Sequence, residues 1–215
     1  MSQENSDTAP LVNRVLRGDE QALAELFAGY RQRLWRMVNF RMHHQLQGRV
    51  DADDVLQEAW LNAVARIDRF LVDASRSCFV WFRMIVSQTM IDIHRRHLGT
   101  QKRDAKREIS IHGGWTTSST SMSLSFFLLG HLTSPSNAAL RIELSQQLDA
   151  ALSSLSDMDR EVLALRHFEE LSNGEAAQVL DITEQGASMR YLRALSRLKS
   201  VMEAIPGVQD NLSTG

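Results

Sequence analysis

Three groups of side chains in this 215-residue chain are of types that could do chemistry. Asp51-Ala52-Asp53-Asp54 fits an Asp-x-Asp-Asp pattern, in which neighbouring charges could hold one carboxyl protonated as a general acid. Cys78 is the only thiol, and His94 and His97 could join it as metal ligands by residue type. Arginines form the third group. Arg83 to Arg107 holds seven basic residues against Asp92 and Asp104, and Arg190, Arg193 and Arg197 recur at helical spacing near the other end.

Two of these groups fail on geometry or composition. If Phe79 to His97 forms one helix, a rise of about 1.5 Å per residue separates Cys78 from the histidines by more than roughly 20 Å, so no metal site is expected. No second thiol exists to resolve an oxidised Cys78, and no internal disulfide or oxidising compartment is implied. Cys78 reads as a small residue packed at a helix start. The Asp-x-Asp-Asp string also occurs as the general-acid motif of some terpene cyclases, which need a large aromatic-lined cavity. Aromatic residues are only 7% of this chain, so no catalytic residue and no cofactor is expected.

The elements that carry these groups are helical. Hydrophobic residues at 43%, charged residues at 23%, 11 Gly and 3 Pro describe a globular chain rich in helix formers, and the expected fold class is all-α: two small helical domains joined by a flexible linker. No apolar run approaches the roughly 20 residues of a bilayer crossing, and the N-terminus lacks a basic start with an apolar core, so membrane insertion is not expected and the cytoplasm is the expected location. Leu23, Leu26, Phe27, Tyr30, Leu34 and Val38 predict a core helix over about Gln21 to Met42. Asp51 predicts the N-cap of a second helix ending near Arg66. A third, Phe79 to His97, carries Val80, Trp81, Met84, Ile85 and Ile91.

From Ile109 to Leu140 there is no Asp, Glu, Lys or Arg, and Ser, Thr and Gly are dense, a connector by composition in which Trp115, Phe126 and Phe127 leave room for docking. A second helical unit starts at about Arg141, with Leu144, Leu148, Leu152 and Leu155 on one stripe. Ser156-x-x-Asp159 and Ser172-Asn173-Gly174-Glu175 read as capping boxes. The second opens a short helix, Asn173 to Leu180. Asp181-Ile182-Thr183 turns the chain, and a longer helix follows from Glu184 to about Met202, which together make a helix-turn-helix.

A helical wheel at about 100° per residue sorts the faces. On the last helix Ala187, Tyr191, Ala194, Leu195, Leu198 and Met202 pack, while Gly186, Met189, Arg190, Arg193 and Arg197 lie largely opposite. On the acidic helix Leu56, Ala59, Trp60, Ala63 and Ile67 fall together, and Asp54, Gln57, Glu58 and Leu61 face away. The formal net charge of -2 is uncommon for a nucleic-acid binder, but the charge is segregated into acidic and basic surfaces. An acidic face with an apolar centre suits a protein partner and repels DNA.

The string Asp51-Ala52-Asp53-Asp54-Val55-Leu56-Gln57-Glu58-Ala59-Trp60-Leu61, with Trp81-Phe82 and Asp92-x-x-Arg95-Arg96, resembles region two of extracytoplasmic-function (ECF) sigma factors of the sigma-70 family. Leu155-Ser156-x-x-x-Arg160-Glu161-Val162-Leu163, Leu171-Ser172-x-x-Glu175-Ala176-Ala177 and Met189-Arg190 resemble region four. The resemblance implies a region-two domain over 10–108, a linker over 109–138 and a region-four helix-turn-helix over 139–204. It implies a protein that binds core RNA polymerase, directs promoter recognition and DNA melting, and catalyses nothing itself. By the same resemblance Asp54, Gln57, Glu58 and Leu61 meet the clamp helices of the largest polymerase subunit. The loop from Arg66 to Ser77 and the helix after it open and hold the minus-ten element, for which Phe70, Arg76, Arg83, Arg95 and Arg96 are the candidates by residue type. Gln185, Ser188, Met189, Arg190, Arg193 and Arg197 meet the minus-thirty-five element. The flap of the second-largest subunit and an anti-sigma factor are the further partners it suggests.

The chain departs from the family pattern in three places. Asp181 stands where a turn Gly is usual, Gln185-Gly186-Ala187-Ser188 replaces a commoner Gly-Thr-Val-Lys, and the linker lacks the acidic residues often found there. A rival reading, a helix-turn-helix repressor or activator working without polymerase, accounts for the C-terminal third and leaves the acidic helix unused.

Overall fold

The computed structural model describes residues 3–42, 50–72, 77–98, 120–121, 123–125, 146–150 and 152–203, and all regular structure among them is helical. The chain divides into two compact units, Met1–Gly114 with Gln178–Leu180, and Trp115–Ala177 with Asp181–Gly215. Among the described residues no helix is long and apolar enough to cross a membrane.

The first unit opens with a helix that the sequence periodicity does not announce, α1 (Gln3–Val15), which lies partly before the expected domain start at residue 10. Gly18, at a φ of 85° that side-chain-bearing residues avoid, turns the chain into α2 (Glu20–Arg41). Asp19 does two jobs at this corner. It accepts the Ala22 N–H at 3.1 Å as N-cap and the Arg14 Nε at 2.8 Å, and these two bonds hold its carboxyl below the ordinary range. Of the predicted stripe of α2, Leu23, Leu26, Phe27, Leu34 and Val38 are buried and Tyr30 is half-buried, with Met37 added to the core.

Helix α3 (Ala52–Val64) starts at the predicted cap, Asp51, which accepts the Asp54 N–H at 2.7 Å. A short α4 (Ile67–Val72) follows, then α5 (Cys78–Leu98), whose first turn is closed by Ser77 Oγ accepting from Val80 N–H at 3.1 Å. Every residue from Cys78 to Arg83 is buried, which makes α5 the central helix of the bundle. Phe27 of α2 joins the three helices, with ring centroids 5.3 Å from Trp60 and 5.2 Å from Phe82. Met84, which the periodicity places with the apolar residues of α5, is instead 43% exposed.

In the second unit the leucine stripe is real where it is described: Leu148, Leu152 and Leu155 are buried, while Arg141 and Leu144 lie outside the described residues. Ser156 caps α6 (Asp157–Leu163), accepting from Asp159 N–H at 3.2 Å. The helix ends in one wider π-type turn, Ala164–Phe168, where Glu169 N–H reaches Ala164 O at 3.0 Å.

The uncharged stretch is not wholly a connector. Residues 120–121 and 123–125 are helical; Leu124 is fully buried, Thr120 Oγ1 donates to Glu161 Oε2 at 2.8 Å, and Ser125 Oγ donates to Asp149 Oδ1 at 2.5 Å. The second unit therefore includes part of the span assigned by composition to the 109–138 linker. Hydroxyls can serve carboxylates and a leucine can fill a core without any charged residue to signal it. Trp115, Phe126 and Phe127 lie outside the described residues.

Candidate functional site

Helix α3 presents the acidic face. Val55, Leu56, Ala59 and Ala63 are buried on one side, and Asp54, Gln57 and Leu61 are exposed on the other, Leu61 at 64%. Glu58 sits at the edge of that face. Both its carboxylate oxygens lie 2.6 Å from one guanidinium nitrogen of Arg96 on α5, and Asn62 Nδ2 donates to Thr89 Oγ1 at 3.0 Å further along the same pair of helices. The hydrogen bond to Glu58 raises the Arg96 pKa above its ordinary value. Asp53 is tied to Arg31 of α2 at 2.6 Å. The outward residues thus form a carboxylate-rich surface around an apolar point, the form of a protein-docking patch.

The residues expected to hold an opened DNA strand divide. Arg95 and Arg96 are at the surface near the end of α5, Arg95 only 3.7 Å from Asp92 and Arg96 engaged with Glu58. Phe70 and Arg83 are not. Phe70 is 2% exposed with its ring centroid 5.0 Å from that of Trp81, and Arg83 is 1% exposed within the all-round buried half of α5. Aromatic and basic residue types suggested strand contacts, but in this arrangement packing has taken both side chains inward. Arg76 lies outside the described residues.

The helix-turn-helix is built as its sequence signals require. Ser172 Oγ accepts the Glu175 N–H at 3.1 Å while Glu175 Oε2 accepts the Ser172 N–H at 2.7 Å, a complete capping box at the start of α7 (Asn173–Leu180). Asp181 takes the left-handed conformation, φ 54° and ψ 47°, that glycine would take without strain. Thr183 Oγ1 then accepts from Gly186 N–H at 3.0 Å at the start of α8 (Glu184–Glu203), and Asn173 Nδ2 donates to Glu184 O at 2.8 Å, bracing the two helices.

Ala187, Ala194 and Leu198 are the buried line of α8. Opposite them the outward line is Gln185, Met189, Leu192 and Ser196, with Met189 56% and Leu192 57% exposed. Arg193 and Arg197 are exposed along one flank, and Ser188 is half-buried on the other. Arg190 turns back, its guanidinium 3.2 Å from Asp159 Oδ1 of α6, a carboxylate in a residue only 8% exposed. Leu195, predicted on the packed side, is 38% exposed, and the Met202 side chain is outside the described ones. Sequence reasoning overlooked Leu192. A wheel centred on the two alanines, rather than on all the apolar residues, would have found it.

A family model described as ECF sigma factor matches residues 5–203. Among curated proteins the chain is 26% identical over 189 residues to the ECF RNA polymerase sigma factor SigW of Bacillus subtilis, covering 87% of this chain and 92% of that one. It is 25% identical over 209 residues to the ECF RNA polymerase sigma-E factor of Escherichia coli K12, covering 95% and 98%. Among solved structures, that of CnrH in complex with the cytosolic domain of CnrY covers 90% of this chain and 96% of its own at 22% identity, with a TM-score of 0.48.

Proposed function

The chain belongs to the ECF sigma factor family, and we propose that it divides the work of such a factor between its two units. In the first, the α3 face of Asp54, Gln57, Glu58 and Leu61 docks on the clamp helices of the largest subunit of core RNA polymerase. Arg95 and Arg96 at the end of α5 hold phosphates of the opened minus-ten element. In the second unit α8 enters the major groove of the minus-thirty-five element, with Gln185, Ser188 and Met189 at base edges and Arg193 and Arg197 at the backbone. The flap of the second-largest subunit is the surface that brings this unit to its DNA site. The protein performs no catalytic step, acts in the cytoplasm, and lends its specificity to an enzyme that polymerises RNA.

The observation that carries this reading is the coexistence of a braced helix-turn-helix with an acidic face centred on an exposed leucine. A DNA-binding repressor has use for the first alone. The test is transcription by core polymerase, with and without the purified chain, on a genomic fragment library, with transcript starts sequenced and co-elution measured in parallel. New starts that require the chain, together with a stable complex, are expected. Nanomolar binding of duplex DNA without polymerase, and no complex with it, would instead make the chain a repressor or activator.

A further inference from the structure

We infer that Met189 and Leu192 read thymine 5-methyl groups in the upstream promoter element, a specificity role that rests on the assignment of α8 as the recognition helix. The outward pole of that helix is not cationic. Met189 and Leu192, 56% and 57% exposed, stand at its centre, with Gln185 one turn before them and Ser196 one turn after Leu192. The arginines are displaced to one side. Arg193 and Arg197 lie along the flank where a helix in the groove would pass a phosphate backbone.

Arg190 is drawn out of this arrangement. Its guanidinium lies 3.2 Å from Asp159 Oδ1 of α6, so this cation is turned away from the outward pole, while the buried line of Ala187, Ala194 and Leu198 sets the roll of α8. Along the major groove, the edges of guanine, adenine and cytosine present hydrogen-bonding groups, and only thymine presents an apolar one. Two large apolar side chains at the pole match that group and no other. Their separation along the axis is about 4.5 Å at about 1.5 Å per residue, and base pairs step by about 3.4 Å, so Met189 and Leu192 reach thymines on neighbouring or next-neighbouring pairs.

The experiment uses the full chain with core polymerase and a promoter recovered in the transcription screen. Each thymine of the upstream element is replaced in turn by deoxyuridine, which removes only the methyl group. Wild-type holoenzyme is expected to bind about fourfold more weakly for each contacted methyl lost, the fold-change to which about 0.8 kcal/mol per buried carbon corresponds. Met189→Ala is expected to abolish that sensitivity at one position and Leu192→Ala at another. The deoxyuridine arm leaves the protein unchanged, so no folding defect can mimic the result. If every deoxyuridine substitution changes binding less than twofold while Arg197→Ala still weakens it, α8 is the recognition helix and the methyl reading is wrong. An element without any A·T pair opposite α8 would overturn it as well. If neither the substitutions nor Arg197→Ala matters, the assignment of α8 itself falls.

Discussion

Truncating Leu61 to Ala tests the docking role proposed for the α3 face better than reversing its charges. Fully burying a leucine is worth about 1.5–3 kcal/mol, and Leu61 keeps 64% of its surface in water, so covering it with a partner has about 1–2 kcal/mol left to contribute. Core polymerase should therefore bind Leu61→Ala about 5- to 30-fold more weakly, at 1.36 kcal/mol per tenfold. Folding stability should move by no more than about 1 kcal/mol, because the fold itself covers only the smaller share of the side chain. Reversing Asp54 and Glu58 to Lys would abolish core binding more completely, but less cleanly. Asp54 lies in the first turn of α3, where an acid gains about 0.3–1 kcal/mol from the positive helix end, and Glu58→Lys also breaks the exposed pair with Arg96. The assay is titration of labelled core polymerase with wild type and Leu61→Ala, with thermal unfolding followed by circular dichroism. Binding within twofold of wild type at an unchanged Tm would refute the docking assignment.

Four further outcomes follow from the same geometry. Ser172→Ala removes one half of the capping box and should cost about 1 kcal/mol in urea unfolding of the second unit. Asp181→Gly relieves a left-handed residue and should stabilise by up to about 1 kcal/mol, seen as a raised Tm. Arg197→Ala should flatten the logarithmic salt dependence of holoenzyme binding by about 0.9 per lost phosphate contact, whereas Arg190→Ala should lower Tm and leave the slope unchanged. Burial pushes the Cys78 thiol from near 9 up to about 12, so native protein should resist alkylation at pH 8 until unfolded. Since the unfolded thiol ionises first, the stability due to Cys78 is complete below about pH 9 and is lost progressively towards pH 12, a decline that Cys78→Ala should remove.

What could be read from the sequence was governed by local rules. Asp51, Ser156 and Ser172 announce helix starts because a cap acts over three residues, and Leu23 to Val38 announce a buried stripe because a helix repeats every 3.6. Asp181 takes the left-handed conformation of the glycine usual at that turn, and the resemblance to the family pattern, rather than a local rule, marks the position. The failures were tertiary. Whether Phe70 and Arg83 face a ligand or the core depends on how α4 and α5 meet neighbours distant in sequence. The hydroxyls of Thr120 and Ser125 find carboxylates 41 and 24 residues away, and Arg190 finds Asp159 at 31, distances over which composition carries no signal.

The docked helical segment within residues 120–125 alters what counts as a module in this protein. A spacer could be shortened, lengthened or exchanged with that of a relative so long as its reach survived. This one contributes a buried leucine and two hydroxyls to a folded unit, so a grafted spacer of equal length and equal neutrality would leave Glu161 and Asp149 to find water in place of Thr120 and Ser125. A promoter-reading fragment cut at residue 139 would suffer the same loss, and one begun at Trp115 would not. For chimaeras that trade one promoter preference for another, the seam belongs on the N-terminal side of the docked segment, so that the helix-turn-helix travels together with the whole folded unit, including the piece of apparent linker bonded to Glu161 and Asp149.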